Sequence, residues 1–171
     1  MKPKFPAAMP PPTTALTYLT QKIVAEAELL SKESPRKRII YPIHKSDDAN
    51  THRMFNVMQP ETYIVPHCHI SDRKTESVIV LKGSICFFSF DERGNITSKQ
   101  HIKAGGEVFG VDIEPHVLHT FVVLEENTVI FEVKPGPYTQ SSDKDFVNWA
   151  PKEGTEEAKI YLKNLQQLTH N

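Results

Sequence analysis

Cysteine is nearly absent from this 171-residue chain: Cys68 and Cys86 are the only two, and no CxxC spacing occurs. Neither a disulfide framework nor a thiolate zinc site is expected from that pair. No apolar run approaches the roughly 20 residues that cross a bilayer, and the segment after Lys2 and Lys4 is broken by prolines rather than being a hydrophobic signal core. The predicted compartment is therefore the cytoplasm. Net charge is also close to absent. A formal −1, from 20 Lys and Arg against 21 Asp and Glu, gives no global reason to bind nucleic acid or an anionic membrane. A GxSxG elbow, a glycine-rich phosphate loop and a dinucleotide fingerprint are all missing, and so is any internal repeat.

What is present reads as one domain. With 39% hydrophobic and 24% charged residues, the chain can bury a single core and is too short to argue for two. Residues 1–14 carry Pro3, Pro6, Pro10, Pro11 and Pro12, which predicts a mobile extension unable to pair its backbone. Leu16, Leu19, Ile23, Ala27 and Leu30 then fall at helical spacing. They predict an amphipathic helix over Ala15–Lys32, within a unit spanning 15–33, capped by Thr13 or Thr14 and stopped by Pro35. The basic run Ser34-Pro35-Arg36-Lys37-Arg38 reads as a solvated connector.

From there the pattern is β. Strands are predicted at Ile39–Ile43, Arg53–Met58, Thr62–His69, Glu76–Leu81, Ile85–Phe90, Ile96–Ile102, Val108–Ile113, Val117–Leu124 and Thr128–Lys134. Gly83, the run Asp91-Glu92-Arg93-Gly94-Asn95 and Gly105-Gly106 punctuate them. So many short strands at regular spacing imply a sandwich or closed barrel, an all-β core over 34–140. A C-terminal segment, 141–171, carries Phe146 and Trp149 and a helix over Glu153–Leu168, both packed on the barrel.

The chemistry concentrates at Pro66-His67-Cys68-His69. On a strand, alternate side chains share a face, so His67 and His69 present two imidazoles together and Cys68 turns away. Glu76 shares the face of Val78 and Val80, and His119 that of Val117, Phe121 and Val123, so both are expected to point inward. A buried histidine needs a hydrogen bond or a metal. His116 is the alternative third imidazole. Around this cluster, Tyr63 shares the parity of His67, and Glu132 and Lys134 share that of Ile130. Tyr63, Arg53, Glu132 and Lys134 are the candidates for contact with a bound ligand, with core packing favoured for Tyr63. Glu132 and Lys134 are equally compatible with an outward ion pair, and surface placement is favoured for Arg53 and Asn56.

His67, His69, Glu76 and Gly83 at these spacings, with His119 on a later strand, resemble the paired motifs of the cupin family. Two departures stand out: six residues separate His69 from Glu76, and Glu114-Pro115-His116 replaces the usual Pro-x-Gly turn. Ser34-Pro35-Arg36, Gln59-Pro60-Glu61-Thr62-Tyr63, His119-Thr120, the run from Phe131 to Tyr138, and Asp145-Phe146 with Trp149-Ala150-Pro151 are similar to the WbuC-type cupin metalloproteins. The resemblance implies an all-β fold, a single cupin barrel (double-stranded β-helix, or jelly roll) with N-terminal and C-terminal flanking helices. It implies a divalent metal, iron, manganese, zinc, nickel or copper, held by His67, His69, Glu76 and His119, with Glu76 also catalytic. It further implies a small-molecule partner such as a sugar or sugar nucleotide of surface-polysaccharide (O-antigen) metabolism, and a homodimer. Isomerase or epimerase chemistry and oxygenase chemistry are the enzyme classes in view, and a non-catalytic sugar- or metabolite-binding sensor is the alternative.

Overall fold

The computed structural model describes residues 5–137 and 145–170. Among these, ten strands form two five-stranded sheets, flanked by helices α1 (Gln21–Glu33) and α2 (Glu156–Gln167). In chain order the strands are β1 Arg38–Pro42, β2 Thr51–Met58, β3 His67–Cys68, β4 Glu76–Lys82, β5 Ser84–Phe90, β6 Ile96–Lys103, β7 Gly110–Ile113, β8 Leu118–Val123, β9 Thr128–Pro135 and β10 Asp145–Phe146. The first sheet runs β1-β2-β9-β4-β7 and the second β10-β3-β8-β5-β6. All the ladders are antiparallel. Among the described residues, no helix is long and apolar enough to cross a membrane.

The inner faces of the two sheets meet in an apolar cluster. Met58, Val78, Val80 and Ile130 come from the first sheet, and Ile85, Phe87, Ile102 and Val123 from the second. Strand β5 carries the unbroken apolar run Ile85-Cys86-Phe87-Phe88 because both of its faces are covered. Ile85 and Phe87 point between the sheets, while Cys86, Phe88 and Phe90 lie beneath α2 against Ala158, Leu162 and Leu165. On the opposite side α1 places Ala27 over Ile39, Phe55, Val57 and Val129. Edge strand β6 is solvated apart from Ile102, and its Lys99 and Lys103 suit an edge that must not pair with another chain.

Two turns hold this frame in register. Asp91 accepts hydrogen bonds from the Arg93 and Asn95 backbone amides, both at 2.9 Å, and closes the β5–β6 hairpin. Gly83, between β4 and β5, has φ +75, and a Cβ there would collide with Thr128 on the neighbouring strand. Only glycine meets both demands at low cost.

Several expectations need correction. The first helix starts at Gln21, six residues later than its spacing predicts. Thr20 is the cap, its hydroxyl accepting from the Ile23 amide at 3.4 Å. Thr14 instead donates to the Leu16 carbonyl, and Leu16, Tyr18 and Leu19 stay exposed, so the apolar spacing there has no packing to support a helix. Of the proline-rich extension, residues 1–4 lie outside the described residues. The remainder is not wholly unpaired: the Met9 amide donates to Ile40 at 2.8 Å, and the Ile40 amide to Ala7. Ala7 to Met9 lack proline, so their polar groups remain available, and Met9 is buried.

The basic connector is only partly solvated. The Arg38 side chain is only 10% exposed, donating to Tyr63 O at 2.9 Å and pairing with Glu153 at 2.8 Å. The predicted strand over Thr62–His69 shrinks to β3 because side chains capture its carbonyls. Arg38 takes that of Tyr63, and Thr120 takes that of Ile64 at 2.7 Å. At the other end of the barrel unit, Tyr138 and the first residues of the C-terminal segment, 141–144, lie outside the described residues, as does Asn171.

Candidate metal centre

Four side chains converge at one end of the space between the sheets. His67 on β3 stands directly opposite His119 on β8, and His69 follows β3 immediately. Glu76 is the first residue of β4, on the other sheet. Each offers one donor atom, and all four atoms lie within 4.8 Å of one another. Relative exposures are 2% for His67, 3% for His69, 5% for Glu76 and 2% for His119.

Local backbone sets the tautomers. His67 Nδ1 lies 3.0 Å from Val65 O, and His119 Nδ1 lies 2.8 Å from Val117 O. A carbonyl only accepts, so Nδ1 donates in each ring and Nε2 is the atom turned toward the site. Both Glu76 contacts are to Nε2 atoms: Oε2 is 3.3 Å from that of His69 and 3.3 Å from that of His119. The Phe87 ring stacks on His119 at 5.7 Å, and the His116 amide donates to His69 O at 2.9 Å. Three imidazoles and one carboxylate, buried and converging, make a donor set that suits divalent first-row metals. No other such group occurs among the described residues.

Burial alone would push the Glu76 carboxyl up. The imidazoles of His119 and His69, and then the Lys134 ammonium, together hold it well below the usual carboxylate range. Lys134 reaches this position because the β4–β9 ladder pairs Ser77 with Val133, which sets Glu76 beside Lys134. The same inward face of β9 carries Glu132. Its Oε1 lies 3.1 Å from Lys134 Nζ, and its Oε2 accepts from Asn56 Nδ2 at 2.5 Å. Glu132 also shares a hydrogen bond with Glu76. Glu132 and Lys134 are both buried, which excludes the outward ion pair that strand parity left open.

Two other candidate ligand contacts are not brought to the cluster. Arg53 is exposed on the outer face of β2, since β2 turns His52, Met54 and Asn56 inward. Tyr63 packs beneath α2, its hydroxyl donating to Pro151 O at 2.9 Å and its ring edge-on to Tyr161 at 6.0 Å. Burial raises its pKa. The late start of the strand, at His67, broke the parity that linked Tyr63 to it. His116 takes φ +66 at the turn where the family motif places glycine, a conformation that histidine tolerates better than most residues. Its ring bonds Asp72 at 2.7 Å in solvent, so the third imidazole of the cluster is His119. Cys68 turns away from the pair, as alternation requires. Asn56 is the residue that sequence reasoning placed wrongly. Its period-two spacing with Met54 and Met58 was the available signal, but its partner Glu132 lies far along the chain.

Residues 19–102, just under half of the chain, match the model of a domain of unknown function (DUF6016). No curated protein sequence matches the chain. Among solved structures, the capsular polysaccharide assembling protein CapF of Staphylococcus aureus is similar at 16% identity, covering 63% of this chain and 29% of its own, with a TM-score of 0.52. An L-ribose isomerase of Cellulomonas parahominis, solved with L-psicose, is similar at 17% identity, covering 66% of this chain and 70% of its own, also with a TM-score of 0.52. KdgF of Halomonas sp. matches at 15% identity over 60% of this chain and 80% of its own, with a TM-score of 0.46. The chain spans less than a third of CapF. The likenesses to CapF and the L-ribose isomerase agree with the two facing sheets and their flanking helices: the fold is that of the cupins.

Proposed function

We propose that this chain is a cupin metalloprotein whose centre is His67, His69, Glu76 and His119, and that it acts on a small oxygen-rich molecule of the sugar class. The observation that carries the metal reading is the convergence of four buried donor atoms within 4.8 Å. A bound divalent ion would supply Lewis acidity toward a carbonyl or hydroxyl oxygen. The chain's own part is to hold three imidazoles with Nε2 facing the site, to keep Glu76 ionised, and to exclude bulk water through burial. Glu76 is the group proposed to touch both ion and reacting molecule. The sugar part rests on the WbuC-like motifs, with their surface-polysaccharide association, and on the names of CapF and the L-ribose isomerase.

Elemental analysis of the purified protein and of His69→Ala tests the centre. Stoichiometric metal in the first and its loss in the second are expected. A metal-free wild type whose thermal stability equals that of the variant would sink the reading. Incubating metal-loaded protein with sugar nucleotides and analysing products tests the reaction, with Glu76→Gln expected to abolish turnover. Ligand-induced stabilisation without turnover would favour a non-catalytic sugar- or metabolite-binding module instead.

A further inference from the structure

A buried lysine–glutamate pair is an odd choice for the interior of a small β-sandwich. Replacing such a pair with apolar residues is often neutral or stabilising, so its presence is weak evidence of a stability role. Here the pair lies beside the donor cluster. Register sets Lys134 next to Glu76 on the inner face, and Lys134 Nζ sits 3.1 Å from Glu132 Oε1. Asn56 Nδ2 fixes the far oxygen of Glu132 at 2.5 Å. Glu132 also hydrogen-bonds Glu76. Two acidic side chains thus share one buried space with a single ammonium, 3.1 Å from Glu132, and Asn56 orients the assembly from the adjacent strand.

We propose that Lys134 and Glu132 are positioning residues for the centre: together they hold the Glu76 carboxylate in the orientation that presents Oε2 to the imidazole Nε2 atoms. Lys134 holds the near oxygen of Glu132 through its ammonium at 3.1 Å. Asn56 ties Glu132, and through it Glu76, to the rigid β2–β9 ladder rather than to a mobile loop. Partners of this kind govern affinity as well as the ligands themselves do, typically by 10–100-fold. The inference rests on the metal reading above, and it reassigns Lys134 and Glu132 from contact with an organic ligand to control of the centre.

The test is a Co²⁺ titration of the full chain, read by the visible absorption of the bound ion and by competition with a chelator. Glu132→Gln is nearly isosteric and is expected to weaken Co²⁺ roughly 10-fold and to shift the absorption bands. Lys134→Met is expected to weaken it toward 100-fold, with Lys134→Arg recovering most of the loss. Circular dichroism checks folding, and if Lys134→Met does not fold, Glu132→Gln and Lys134→Arg decide the matter. A wild type that takes up no Co²⁺ defeats the metal reading itself. A wild type that binds Co²⁺ with Glu132→Gln unchanged in both affinity and spectrum overturns the positioning role alone.

Discussion

The space between the two sheets has two ends built on different principles. At one end Met58, Val80, Ile85, Ile102, Val123 and Ile130 fill the gap with apolar atoms, and the sheets adhere by excluding water. At the other end the first sheet contributes Glu76, Glu132, Lys134 and Asn56, while the second contributes His67 and His119. Charge faces imidazole across the gap. Packing the apolar end needs only shape, whereas the polar end must satisfy every group. The fold therefore rests on the apolar end, which leaves the polar end available for chemistry.

The largest effect should come from the apolar end: Ile130→Ala is expected to cost about 2–5 kcal/mol by denaturant unfolding, while the folded variant still binds metal in full stoichiometry. Loss of metal from that variant would show the two ends to be one unit. At the polar end, His119→Ala should abolish metal uptake and with it the stabilisation that a saturating ion gives. That stabilisation is about 2.7 kcal/mol with free ion at 100 times its Kd, measured as the difference between melts with and without added metal. Gly83→Ala, at the apolar end, should cost about 1–3 kcal/mol from its left-handed backbone, and its collision with Thr128 adds to that. Equal denaturant midpoints for Gly83→Ala and wild type would contradict this.

The smallest effect is a pH dependence. His44 lies below its ordinary value of 6.5, chiefly through burial, and His52 stacks on it at 4.0 Å. The unfolded chain therefore binds this proton more readily than the folded one. Stability present above pH 6.5 should be lost as pH falls toward the lowered folded value. Melts of the metal-free chain between about pH 8 and pH 5 should show this decline, and His44→Gln should flatten it.

Much of the donor cluster was legible because period-two alternation is a local property. His67 and His69, Glu76 with Val78, and His119 on the face of Val123 all follow from it. The same rule could not say which face of β9 looks inward. Glu132 and Lys134 share a side with Ile130, while Phe131 and Val133 offer an apolar set on the other, and α1 covers part of that outer side. Only the pairing with β2 and β4 decides. The parity of Tyr63 with His67 did not hold for a different reason: tertiary hydrogen bonds from Arg38 and Thr120 keep the strand from starting before His67. The start of α1 failed because Leu16 and Leu19 match a helical period with nothing to pack against. Strand β10 is two residues long and leaves no period to read.

The direct pairing of His67 with His119 across β3 and β8 has a consequence for assembly. Because successive side chains alternate faces, a slip of one residue between strands moves a whole set to the other side. A misregistered sheet would part the two imidazoles and lose the site, while its hydrogen-bond ladder could remain nearly complete. An ion that binds only the correct register draws the population toward it by mass action. The centre then acts as a checksum on the fold, with metal occupancy recording that the sheet was put together correctly.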